Sequence, residues 1–194
     1  MRLEGRTIVV LLAASLSASG CSVPAGGKAV PTAIELKAAD VGATADDDCG
    51  PWQVGTMTGY NNSDSGDDPN AGSVAEFSDL TDEFYDNVPI ASIDSSDFPH
   101  DKYRFVDIKF NGTIGRVETW DECRNEDCPD GTDCCTQNKH EFAQPGYLLD
   151  LETRTAARLF GLNDAEDSLN TKIEYRICSS FDPDPIAQQF GAHR

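Results

Sequence analysis

Apolar and polar residues alternate with the period of two that marks half-buried strands at several places after residue 49. Residues 52–60 (WQVGTMTGY) alternate and are rich in threonine and aromatic side chains, and the polar run NNSDSGDDPN over 61–70 ends them in a loop. A short apolar run follows at 89–93. Residues 102–110 alternate bulky with charged positions, and the Asn111-Gly112 step predicts a hairpin into a further strand over 114–120. Strands are also predicted over 147–151 and 172–178. The clearest helix signal spans 152–160, where Ala156, Ala157, Leu159 and Phe160 give an apolar face and Gly161 is suited to ending it. A weaker helical or turn segment covers 74–85. No repeat of domain-building length is visible. Several short strands with one or two short helices predict a mainly β protein, a small barrel rather than a sandwich.

The first twenty residues read as a processing segment rather than as fold. Arg2 and Arg6 mark a basic start, residues 8–14 are apolar, and small residues lead to Gly20. The run is too short to span a bilayer and has the flanks of a secretory signal. Ala18-Ser19-Gly20-Cys21 resembles a bacterial lipobox, in which the cysteine is lipidated and becomes the mature N-terminus. That pattern usually has Leu where Ala18 stands here. Residues 21–48 carry small residues, Pro24, Pro31 and a terminal acidic run without period, as expected of a flexible tether. The folded domain is expected over 49–194.

Charge narrows the partners. The 194-residue chain carries 34 acidic against 15 basic residues, a net charge of −19. Nucleic acid is disfavoured, because phosphate backbones are bound by Lys and Arg, and so is docking on anionic lipid. Membrane contact is expected only through a lipid on Cys21. Nucleotide-binding glycine motifs and GxSxG are absent from the sequence. Cys49, Cys123, Cys128, Cys134, Cys135 and Cys178 form an even set of six, which in an exported domain predicts three disulfides. The neighbours Cys134 and Cys135 are expected to bond to different partners, since a bond between adjacent cysteines strains the peptide. Zinc is the rival reading of the tight 123–135 spacing, but no paired CxxC knuckle or histidine partner accompanies it.

Four motifs then fall in a recognisable order: Gly55-Thr56-Met57-Thr58-Gly59, Asn111-Gly112, the segment 115–123 (GRVETWDEC), and 147–151 (YLLDL) with an Ala-rich helix after it. This order resembles the six-stranded double-psi β-barrel of expansins, family 45 endoglucanases and rare lipoprotein A. The resemblance implies a groove holding a polysaccharide. It gives Asp150 the position of the endoglucanase general acid and of the essential expansin aspartate, and Asp121 that of the aspartate ending a middle strand. It gives Thr56 the expansin-like place on the early strand. The endoglucanase base has no counterpart there, because GTMTGY holds no carboxylate. Inverting hydrolysis thereby loses one of two proton-transfer groups, each worth typically ~10²–10⁴-fold.

The resulting expectation is an exported, non-hydrolytic, expansin-like protein that binds or loosens cell-wall polysaccharide. It would be a monomer, with no cofactor and no metal. Asp150 and Asp121 are the candidate catalytic residues, and Thr56, Thr58, Tyr60, Trp120 and Tyr147 the candidate sugar contacts. The alternatives are a lytic or hydrolytic glycan-cleaving enzyme with Asp150 as acid, and an envelope interaction domain without glycan activity. Each residue also has a structural reading: Asp150 as helix cap, Asp121 as acceptor for loop amides around Cys123, Trp120 as core. Two acidic loops, with Asp64, Asp67 and Asp68 and with Asp127, Asp130 and Asp133, suggest calcium but fit no EF-hand, and solvated turns are the better reading.

Overall fold

The computed structural model describes residues 48–61, 72–128, 132–163 and 169–194. The signal segment, Cys21, the tether up to residue 47 and the Asp64, Asp67 and Asp68 loop lie outside the described residues, as does Asp130. No helix among the described residues is long and apolar enough to cross a membrane.

Six strands carry the fold: β1 (Gln53–Tyr60), β2 (Ile90–Asp94), β3 (Arg104–Phe110), β4 (Thr113–Cys123), β5 (Leu148–Glu152) and β6 (Asn170–Ser180). They close in the order β1-β5-β2-β4-β3-β6, so no strand edge is left unpaired. The pairs β1·β5 and β2·β4 are parallel and the rest antiparallel. This is the expected double-psi β-barrel. The Asn111-Gly112 hairpin forms as read, both residues taking positive φ (48° and 82°) as a type I′ turn requires.

Alternation sorts side chains to two faces. Met57, Ile93, Val106, Ile108, Val117, Leu149, Leu151 and Ile173 fill the barrel, where Tyr147 stacks on Tyr175 with ring centroids 4.6 Å apart. Outside it lies an aromatic layer: Phe77, Phe84, Tyr85, Tyr103 and Trp120 pack with Ile90 and Ala187. The weak segment 74–85 contributes here, as a bridge between Val74 and Phe77 and then α1 (Asp82–Asn87). A smaller layer packs Cys128 and Cys135 on Leu148. Helices are more numerous than expected, because α2 (Phe98–Asp101), α3 (Cys134–Lys139) and α5 (Pro183–Gln189) are short and leave little periodic trace.

The strong helix is α4 (Thr153–Phe160), ended by Gly161 at φ 70°. It approaches β4 closely: a Cβ at Gly115 would stand 2.9 Å from Phe160 Cζ. The cysteines pair as Cys49–Cys178, Cys123–Cys135 and Cys128–Cys134. The adjacent pair thus goes to two partners, as expected, and the disulfides fit an oxidising compartment.

Candidate functional site

Register brings four polar residues into one row across four neighbouring strands. Thr58 on β1 stands opposite Asp150 on β5, Asp150 opposite Ser92 on β2, and Ser92 opposite Asp121 on β4. The last pairing depends on a bulge. Between Ala91 and Ser92 the register shifts by one residue, so Trp120 has no partner on β2 and Asp121 takes the place that strict alternation would give it. Thr58, Asp150 and Ser92 lie on the outer face, since their neighbours Met57, Leu149, Leu151 and Ala91 point into the barrel core, and the bulge sets Asp121 on that face too, where it meets the Ala75 amide.

Outer layers border the row on both sides. On one side stand Tyr60, Glu152 and Ile90, next to the aromatic layer; on the other stand Leu148, Asp94 and Cys123, next to α3 and the disulfides. Asp94 is tied to that side by Ser96, Thr136 and Lys139. Asp150 and Asp121 are half-buried, whereas Thr58 and Ser92 are buried. Beyond Asp121 the surface opens into a cavity of about 370 Å³ bordered by Ala75, Glu76, Arg124 and His193.

Hydrogen bonds single out the two aspartates. Thr58 Oγ1 donates to Asp150 Oδ1 at 2.6 Å, and the Ala75 backbone N–H donates to Asp121 Oδ1 at 2.8 Å. Burial raises the Asp150 pKa to about 6, with the Thr58 hydroxyl pulling it down and the negative charge of Asp121 pushing it up. Burial likewise raises Asp121 to about 7, against the Ala75 N–H and Arg124. Near neutrality the row can therefore hold both a protonated carboxyl and a carboxylate, a donor and an acceptor together. Replacing Thr58 by Val should raise the Asp150 pKa above about 6, because a bond to the ionised form is lost. A carboxyl NMR titration checks this, and a pKa that stays or falls would contradict the assignment.

The helix cap belongs to Glu152, whose Oε2 accepts from the Arg154 and Thr155 N–H groups. Asp150 therefore has no capping duty. Asp121 does accept a loop amide, but from the 72–80 segment rather than from the loop around Cys123. Three expected sugar contacts are corrected by their burial. Trp120 is fully buried in the aromatic layer, with its indole N–H bonded to Glu118. Tyr147 lies in the barrel, and Thr56 is fully buried between the sheet and its cover. Each is closed off because residues distant in sequence pack over it. Thr58 and half-buried Tyr60 do stand at the row.

Ser92 and Glu152 were missed. Glu152 follows Asp150 by two, which on a strand means the same face, and that spacing was the available signal. In the second acidic loop, Asp127 and Asp133 are exposed, and neither belongs to a cluster of metal ligands among the described residues.

No protein-family profile and no curated protein matches the chain. Among solved structures it is similar to apo expansin from Clavibacter michiganensis, at 16% identity and TM-score 0.35 over 69% of this chain. A point mutant of that expansin in complex with cellohexaose is similar at 15% identity and TM-score 0.33, again over 69% of this chain. The chain spans about half (52%) of both expansin chains. The Streptomyces papain inhibitor is similar at 17% identity and TM-score 0.37, over 68% of this chain and 97% of the inhibitor.

Proposed function

We propose that this protein is an exported, expansin-like binder of cell-wall polysaccharide that works without hydrolysis, through a groove centred on Asp150, with Cys21 as its lipid attachment. The observation that carries the reading is the solvent-reaching row Thr58–Asp150–Ser92–Asp121 between two outer layers, with no carboxylate on β1. In this reading the two aspartates hydrogen-bond sugar hydroxyls, as acceptors where ionised and as donors where protonated. Tyr60 is the one aromatic that borders the row with partial exposure among the described residues, so recognition rests on polar contacts more than on stacking.

A second reading, glycan cleavage with Asp150 as acid and Asp121 as partner, is favoured by the elevated pKa values of both carboxyls. One experiment separates the two. The oxidised protein and Asp150→Asn are incubated with insoluble cellulose, chitin, xylan and peptidoglycan, and bound protein and released sugars are measured. Retention on a glycan without release, weakened at least about tenfold in the variant by loss of a charged hydrogen bond, is the expected result. Release that disappears in Asp150→Asn makes the protein an enzyme instead, and neither retention nor release removes the groove. Misfolding of the variant is not expected: burial of Asp150 disfavours its charged form in the fold, so the neutral amide should be at least as stable at pH 7.

A further inference from the structure

The row is distinguished by what the protein leaves unpaired. Near it, Arg124 pairs with Glu122, and Arg154 with Asp82 and Asp86. Arg158 donates to the carbonyls of Tyr85 and Asp86, and Lys139 pairs with Asp94 and Asp97. These side chains thus bond to other acceptors, and only the longer-range charge of Arg124 reaches Asp121 and that of Arg154 and Arg158 reaches Glu152. Among the described residues, no Lys or Arg pairs with Asp150, Asp121 or Glu152.

A second observation points into the same place. Glu152 is completely buried on the strand face that carries Asp150, and its Oε1 has no hydrogen-bond partner. Opposite it on β1, the buried hydroxyl of Tyr60 is also without one. This phenol lies among Asp121, Asp150 and Glu152, whose charges act on it together. A buried acceptor left empty is costly unless something fills it. A single metal ion is a poor candidate, because these carboxylates do not form a group whose oxygens lie within 4.8 Å of one another. A string of carboxyls spread across neighbouring strands fits an extended ligand with several separate cationic centres.

Resting on the glycan-binding reading above, we infer that the groove takes an amine-bearing polysaccharide, a β-linked glucosamine polymer whose 2-amino groups are not acetylated. Its ammonium groups would supply the ion-pair partners that the row lacks, each donating up to three hydrogen bonds to Asp150 or Asp121, the two half-buried carboxyls of the row. With no Lys or Arg paired to Asp150 or Asp121, in a chain of net charge −19, the amine polymer would be preferred over neutral glycans and anionic ones would be repelled.

Calorimetric titration of the oxidised full chain with three hexasaccharides tests this: fully deacetylated glucosamine, N-acetylglucosamine and cellohexaose. The titrations are run at a pH of about 6 to 7, the range in which the two aspartates ionise. The deacetylated oligomer is expected to bind at least about tenfold more tightly than either neutral one. Asp150→Asn and Asp121→Asn should each remove most of that preference, whereas Glu174→Gln, which removes the same charge away from the row, should keep it. Equal or tighter binding of a neutral oligomer overturns the amine inference and leaves the glycan-binding reading standing. A preference lost as fully in Glu174→Gln also overturns it, by reducing the effect to general charge. Binding of none of the three also overturns the amine inference, and retention on the insoluble glycans above then decides the glycan-binding reading.

Discussion

Replacing Asp107 by Ala is expected to destabilise the fold by about 3–5 kcal/mol, the usual cost of removing one partner from a buried ionic cluster. Asp107 is buried at 4% exposure on β3. Its two oxygens receive a forked pair of bonds from Arg116 (2.6 and 3.1 Å) and further contacts from Arg176 (3.0 and 2.9 Å). These residues sit side by side on β4, β3 and β6, next to the Cys49–Cys178 disulfide. Arg176 also covers Trp52, 4.7 Å from its ring centroid. Without the carboxylate, two guanidinium groups, neither more than 27% exposed, face each other across the sheet. Chemical or thermal denaturation measures the loss, and a change under about 1 kcal/mol would show that water already screens the cluster.

The same residue sets an acid limit. Burial alone would raise the Asp107 pKa, but hydrogen bonds and charge from Arg116 and then Arg176 outweigh it and hold the carboxyl below its ordinary value. A depressed native pKa contributes stability that is present above the unfolded value and is lost as pH falls through the native one. The native protein should therefore lose stability on acidification where Asp107→Ala does not. Elevated Asp150 and Asp121 work in the opposite direction, so the comparison is best made as a difference between the two proteins.

Trp120→Ala should cost a similar amount, about 3–5 kcal/mol, as a fully buried large aromatic reduced to a methyl group. The indole meets Phe77, Phe84, Tyr103 and Phe181 at centroid distances of 5.2 to 5.9 Å, mostly edge-on. Those rings come from the 72–80 segment, α1, the residue before β3 and the residue after β6, so one side chain gathers four chain segments. The bulge that seats Trp120 also places Asp121, and the Ala75 amide bonded to Asp121 belongs to the same layer. Opening the layer should let water reach Asp121 and lower its pKa from about 7 toward the ordinary aspartate range. A denaturation midpoint close to the native one, or an Asp121 pKa that does not move, would sever this link between packing and site.

Most of the strands were legible because each needs only local alternation. The β3–β4 turn was legible from Asn111-Gly112, which tolerates the positive φ of a type I′ turn, and α4 from its apolar face and Gly161. The segment 74–85 was legible only weakly, as helix or turn, since a bridge between Val74 and Phe77 and a six-residue helix leave no sustained period. Asp150 and Thr58 were found on their motifs, but Ser92 and Glu152 carried no motif and gained meaning only from cross-strand register. Trp120, Tyr147 and Thr56 look like exposed sugar contacts along the chain. Their burial comes from covers made of residues far away in sequence.

By itself, the sequence determined the β content, the hairpin, the even set of six cysteines and the separate partners of Cys134 and Cys135. These follow from backbone preferences and covalent geometry, which act over a few residues. Only the tertiary structure decided which cysteines pair, which threonine meets Asp150, and that Asp121 joins the row while Trp120 leaves it. A one-residue bulge exchanges those last two roles, and such a bulge is a property of two paired strands that neither strand specifies alone.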